Sequence, residues 1–305
     1  MRRLLPLFLL LCSCDDPEAS QPAAAPAPAP AAELVSSPDF SGHNAHLHCA
    51  ALCQFGPRYS GSAAYEQQLQ YLEKHLHAAG WQTARDTFSA PNGVSMCNLR
   101  AFRGTAPAPL LLSCHIDTKI NISPTFLGAD DGASGAAVLL ELARTLPQEL
   151  AVEIIFLDGE EAFGRHMSES DGLYGSKFDV ARRGSKLPRW QINLDMVGGR
   201  NKTIAIPLID TSDFMYRHYM SAVSQLGYSE EKWTVWPGGY FDDHQPYLEA
   251  GVDSLNLIAV FSGSNWWHTP RDNMERICPR SLHESGMLTR QLIGQLLNAA
   301  AANAQ

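Results

Sequence analysis

Basic residues are in short supply in this chain. Across 305 residues, 23 Lys and Arg face 32 Asp and Glu, giving a formal net charge of −9 and a pI near 5.6. A polyanion finds no basic footprint on such a chain, which argues against nucleic acid as a partner. Long apolar runs are also lacking: the one near the start, LLPLFLLL, is too short to cross a bilayer. Paired CxxC knuckles are absent, which argues against a structural zinc ribbon. No segment repeats, and no shift in composition after residue 38 marks a second folded domain. Apolar residues, at 45% of the chain, suffice for one large core.

The first residues read as an address rather than as structure. Arg2 and Arg3 precede the apolar stretch, the order of a secretory signal. The stretch ends in Leu11-Cys12-Ser13-Cys14, which resembles a bacterial lipobox. That likeness implies a signal peptide over residues 1–13, cleavage before Cys14 and lipidation of its thiol. Several acyl chains on one cysteine anchor stably where a single chain does not. Residues 14–38 are dominated by Pro and Ala, a composition that favours an extended tether. The expected product is an exported lipoprotein facing the periplasm or cell exterior, touching the membrane only through its anchor. Five cysteines remain (Cys49, Cys53, Cys97, Cys114 and Cys278), an odd number that leaves at least one without an intramolecular partner.

Residues 39–305 then read as one α/β domain. Helical spacing covers 39–55, 65–79, 133–146, 213–226, 243–250 and about 279–301. Strands are expected in MCNLRAFRG, PLLLSCHID, AVEIIFLD, WQINLDMV and SLNLIAV, with the turn GTAPAP joining the first two. The unbroken apolarity of AVEIIFLD and WQINLDMV suits strands buried on both faces. Alternating strands and helices predict a mostly parallel, mixed central sheet flanked by helices on both faces. The ligand site of such a sheet lies beyond the carboxyl ends of its strands.

That is where five potential metal ligands fall: His115 after LLLSC, Asp131 in GADDGASG, Glu161 in FLDGEEAF, Asp195 in INLDMVGG and His268 in NWWHTP. Zinc takes imidazole nitrogen and carboxylate oxygen, and a catalytic site keeps one position open. Asp131, Glu161 and His268 complete one such set; His115 and Asp195 complete a second, with Asp131 bridging. Glu160 precedes a ligand on a tight turn, where its carboxylate can face the open position as a general acid or base. Each piece has a plainer reading: a lone Asp caps a helix, Glu160-Glu161 is a solvated pair, and His115 with Asp117 is a structural couple. It is the five together, in this order, that point to a hydrolase-type zinc site. The other histidines, including His43, His46 and His48, are expected at the surface.

The motifs H-x-D, GADDGASG, GEE, LDM and HTP, at these intervals, resemble the zinc aminopeptidase superfamily that also contains the glutaminyl cyclases. The likeness spans roughly residues 40–300. FGPRYSGS, Cys114-His115-Ile116-Asp117-Thr118-Lys119, DGLYGS at 171–176, DDHQPY at 242–247 and Trp267-His268-Thr269 are similar to the cyclase branch. Aminopeptidases usually carry Ser or Thr where Asp242 stands and lack the Trp before the His ligand. The resemblance implies a zinc aminopeptidase-like sandwich holding one Zn2+ per chain on Asp131, Glu161 and His268. It implies Glu160 as the acid/base, Asp195 and Asp242 as an acidic hydrogen-bonded network beside it, and Trp267 in the substrate pocket. His115 and Asp117 stand as second-site or supporting residues. The implied activity is conversion of N-terminal Gln of peptides or proteins to pyroglutamate with release of ammonia, by a monomer. A di-zinc aminopeptidase is the alternative, and a metal-binding lipoprotein without activity the third reading. Departures from the cyclase pattern are Gly164-Arg165-His166-Met167, where animal cyclases carry a Trp, Asn256 in place of a supporting His, and Ala136 or Ala137 where Cys114 would have its disulfide partner.

Overall fold

A computed structural model describes residues 40–104 and 107–302. The expected signal peptide, Cys14 and the tether lie outside these residues. The elements run α1 (Gly42–Gln54), α2 (Ala63–Ala78), β1 (Gln82–Ser89), β2 (Ser95–Phe102), β3 (Leu110–His115), α3 (Ala133–Thr145), β4 (Val152–Leu157) and α4 (Tyr174–Arg183). They continue as β5 (Trp190–Asp195), β6 (Ile204–Pro207), α5 (Asp213–Gln225), β7 (Trp233–Trp236), α6 (His244–Glu249), β8 (Asp253–Ala259) and α7 (Pro279–Ala302). One eight-stranded sheet has the order β1-β2-β4-β3-β5-β8-β6-β7. Its centre, β4-β3-β5-β8, is parallel; β1, β2 and β6 join antiparallel.

The central strands are largely apolar and buried along nearly their whole length because both of their faces are covered. Leu110, Leu112 and Cys114 point into the larger core with α1, α3 and α7, while Leu111, Ile155 and Leu157 meet Tyr247 of α6 and Val180 of α4 on the other face. Helix α3 rides directly on the sheet: a Cβ at Gly135 would lie 2.6 Å from the Leu194 carbonyl and 2.8 Å from Cys114 Cβ. This packing fills the space around Cys114, and all five described cysteines are free thiols.

Strand register delivers the site. Ser113 lies opposite Asn193, so His115 and Asp195, two residues on, emerge level and on one face. His115 pairs with Leu157, which places the Asp158-Gly159-Glu160-Glu161 turn at the same edge, and Asp195 pairs with Ile258. Two sequence expectations need correction. The first two strands expected from the sequence, β2 with Cys97 and β3 with Cys114, are consecutive in the chain but not side by side in the sheet, because β4 inserts between them. His244 is fully buried rather than at the surface, held against Asp210 at 3.2 Å. Strands β1, β6 and β7 and helix α4 were not expected from the sequence.

Candidate active site

Two sets of potential ligands meet at the carboxyl edge of the parallel strands. Asp131, Glu161 and His268 form one, and His115, Asp131 and Asp195 the other; within each, one ligand atom per residue lies within 4.8 Å of the rest. In the first, His268 Nε2 stands 2.9 Å from Glu161 Oε1 and 3.4 Å from Asp131 Oδ2. In the second, His115 Nε2 stands 3.1 Å from Asp131 Oδ1 and 3.3 Å from Asp195 Oδ1. Asp131 is the shared member, sitting just before α3 on a turn that needs Gly132 at φ +94°, where a Cβ would press on the Asp117 carbonyl and the His115 ring. The backbone is strained at two non-glycine positions of the site, Met196 and His268, both at φ +51°.

The scaffold around these groups is built from carboxylates that grip backbone amides. Asp117 accepts the amides of Glu160 and Glu161, each at 3.2 Å, and lies 3.5 Å from His115 Nδ1. Asp272 accepts the amides of Asp130 and Asp131 at 2.8 and 3.1 Å. Buried Arg58, from FGPRYSGS, donates to the carbonyls of Leu127 and Gly128 and to Gln68, fixing the chain that leads to Asp131. Asp242 accepts from Asn193 at 3.2 Å and from Asn256 at 2.7 Å, at the end of a buried polar seam through Ser113, Gln191 and Ser254. Among the described residues no hydrogen bond joins Glu160, Asp195 and Asp242 directly; Asp195 is tied to His115 and Asp242 to the two asparagines.

Crowding so many acids into a dry place has consequences for each. Burial raises Glu160 well above the usual carboxylate range, with the charges of Glu161, Asp242 and Asp243 adding and His115 opposing. Burial also pushes Asp195 up to about 7, with Asp242 and Asp131 adding. Asp131 goes the other way: burial works against its charge, but the imidazoles of His115 and His268 facing its two oxygens hold it below the ordinary range. His268, despite burial, is raised to about 10 by Asp131 and Glu161. Asp131 Oδ2 is buried with no hydrogen-bond partner, a costly condition unless a cation accepts its lone pairs. Carboxylate oxygens and imidazole nitrogens converging around that orphan fit a zinc ion.

A narrow cavity of about 50 Å³ opens onto Glu160, Glu161, Asp195, Asp242 and His268, with Met167, Tyr240, Phe241, Phe261 and Trp267 as its apolar walls. Trp267 stacks on the His268 ring with centroids 4.0 Å apart, and Phe261 packs against Trp267 at 4.7 Å, tilted by 42°. His115 and Asp117 sit behind these groups and do not line the cavity.

A model of Peptidase family M28 matches residues 99–293. A glutaminyl-peptide cyclotransferase-like protein of Bos taurus is 30% identical, spanning 79% of this chain and 72% of the relative. The chain belongs to peptidase family M28, among the glutaminyl-peptide cyclotransferases. The solved glutaminyl cyclase of Porphyromonas gingivalis superposes with a TM-score of 0.76 at 27% identity, covering 84% of this chain and 99% of that one. A Zn-dependent exopeptidase from Parabacteroides distasonis superposes equally well, at 0.76 and 27% identity over 85% of this chain and 99% of that one. Backbone likeness within M28 therefore does not separate cyclase from peptidase, and side chains must.

The structure brings together all the expected site residues: Asp131, Glu160, Glu161, Asp195, Asp242, Trp267 and His268 around the cavity, His115 and Asp117 behind it. Asp272 and Arg58 went unread as supports, and so did the aromatic wall of Tyr240, Phe241 and Phe261. Asp272 follows His268 by four residues, and an acid so close to a ligand loop was the one available signal.

Proposed function

We propose that this enzyme converts the N-terminal Gln of peptides or proteins to pyroglutamate and ammonia. The observation that carries the reading is Asp242: an acid clamped by Asn193 and Asn256 beside Glu160, in a cavity closed by Trp267. The resemblance gives aminopeptidases a Ser or Thr at that position and no such Trp.

In this reading Trp267 and Phe261 hold the substrate's first residue so that its α-amine faces its own side-chain carboxamide. Glu160, kept protonatable by burial, accepts a proton as the amine nitrogen bonds to the carboxamide carbon. The same carboxyl group then delivers that proton to the departing nitrogen, which leaves as ammonia and closes the five-membered lactam. Asp242, with Glu161 and Asp243, adds to the effect of burial in raising the proton affinity of Glu160, while Asp195 is held by His115 beside it; neither Asp242 nor Asp195 takes a bond to substrate. A zinc ion held by Asp131, Glu161 and His268 would, when bound, supply the positive charge that offsets negative charge developing on the carboxamide oxygen. Nucleophile and electrophile belong to one residue, so orientation supplies much of the acceleration.

Two zinc ions with aminopeptidase activity form the second reading, which the complete His115, Asp131, Asp195 set favours. Incubation with a Gln-initiated peptide separates the two: the cyclase releases ammonia with a mass loss of about 17 Da, the peptidase a free residue. The same proposal covers the wider organisation: a bacterial lipoprotein cut before Cys14, with residues 14–38 as tether and 39–305 as one monomeric catalytic domain. No described helix is long and apolar enough to cross a membrane. Intact-mass measurement of membrane-extracted protein tests the acylation.

A further inference from the structure

The catalytic cavity does not end at Trp267. A groove of about 530 Å³ begins on the far side of the Trp267–His268 pair and runs between the Lys119–Ile122 segment and the Phe163–His166 loop. Both openings share Trp267 and His268. A peptide whose first residue occupies the cavity therefore has a path over Trp267 for the residues that follow.

The charge lining this groove is unlike that of the cavity. No Asp or Glu lines it, while Lys119, Arg165, His166 and His268 do. Two of these basic groups are committed: Lys119 donates to the Ala162 carbonyl and stands 3.6 Å from Glu161, and His268 faces the ligand set. Arg165 and His166 are exposed, and neither makes a hydrogen bond or ion pair with the described residues. Their loop is pinned nonetheless. The Asp171 carboxylate accepts the amides of Phe163 and Gly164, both at 2.8 Å, and the Tyr174 hydroxyl at 2.9 Å. Ser168 and Asp171 exchange backbone bonds at 2.9 and 3.1 Å across the other end of the loop. The Asp171 carboxylate is thus spent on the scaffold, and the Glu169 carbonyl accepts from Lys177. The result is an unpaired guanidinium on a braced loop, in a chain of net charge −9.

We propose that Arg165, seconded by His166, selects substrates whose second or third residue carries a carboxylate. The inference rests on the glutaminyl-peptide reading and deepens it by naming the substrate class. A guanidinium meets a carboxylate with two parallel N–H donors, a geometry that an ammonium cannot copy. The pair is solvent-exposed, so its contribution is modest and screened by salt.

The test compares kcat/KM for three length-matched, C-terminally amidated peptides, Gln-Glu-Ala-amide, Gln-Ala-Glu-amide and Gln-Lys-Ala-amide, using the full folded domain at low and high salt. The expected result is about a fivefold preference for the better acidic peptide over the lysine one at low salt, expressed mainly in KM and shrinking with salt. Arg165→Glu should invert the preference, Arg165→Ala flatten it, and Arg165→Lys restore part of it. Equal turnover of all three peptides by the wild type, or an acidic preference that survives in Arg165→Glu, overturns the assignment while leaving the cyclase reading intact. Failure to turn over any Gln peptide removes both.

Discussion

The two ligand sets share Asp131 yet differ in what surrounds them. His268 keeps 16% of its side chain accessible and stands at the mouth of the cavity under Trp267, whereas His115 keeps 2% and lies behind Asp131 against Asp117. A catalytic zinc needs an open coordination position facing substrate, and only the His268 set lines the cavity throughout. The buried set has instead the makings of a proton-sharing network: burial pushes Asp195 up to about 7, and the three aspartates around His115 raise it well above its ordinary range even though burial opposes it. The two ligand sets of this chain are thus unequal in access, since only one lies wholly on the open cavity.

Removing the acid/base should have the largest effect. Glu160→Gln is expected to lower kcat by about a thousandfold or more while zinc stays bound, checked by ammonia release alongside metal analysis; retained turnover would take Glu160 out of its role. The comparison itself is broken or sharpened by truncating each histidine. His268→Ala should abolish stable zinc binding and activity together, while His115→Ala should weaken affinity only about 10- to 100-fold, as a supporting group does. Equal losses measured by competition with a chelator would make the two sets equivalent. A smaller change is expected on the asparagine clamp: Asn256→Leu leaves one Asp242 oxygen without its donor and should destabilise by about 1–3 kcal/mol in denaturant unfolding, with a fall in kcat rather than a rise in KM.

The smallest effect concerns Lys202, buried beside the turn after Asp195 and donating to the Met196 carbonyl at 3.0 Å. Burial lowers its pKa to about 7. The folded chain thus holds this proton less tightly than the unfolded one, and the penalty is full below pH ~7 and fades as pH rises toward the ordinary lysine range. Lys202→Met should therefore raise Tm more at pH 6 than at pH 9, and a pH-independent change would contradict the assignment.

How much of this was legible in the sequence follows from what each residue bonds to. The central strands could be read because β3, β4 and β5 are buried at every position and hence largely apolar, with the few polar residues inside them bonded to one another across the strands. Strand β1, QTARDTFS, escaped notice because it is an outer strand with alternating exposure, and its charges pair laterally, as Asp86 does with Arg100. Strands β6 and β7 are only four residues long. Residues that end strands at the cavity stood out as polar groups where apolar runs stop. Asp272 did not, since a carboxylate gripping backbone amides looks like an ordinary turn residue until the segment it holds is known. His244 was unreadable for the same reason: its partner, Asp210, is 34 positions away.

The central claim is that one zinc, in the open set, suffices for the chemistry. The direct measurement is titration of metal-stripped protein with zinc while following ammonia release from a Gln-initiated peptide. Activity should rise linearly and reach its plateau at one equivalent per chain. A plateau that requires a second equivalent, with a free amino acid as the product, would contradict it.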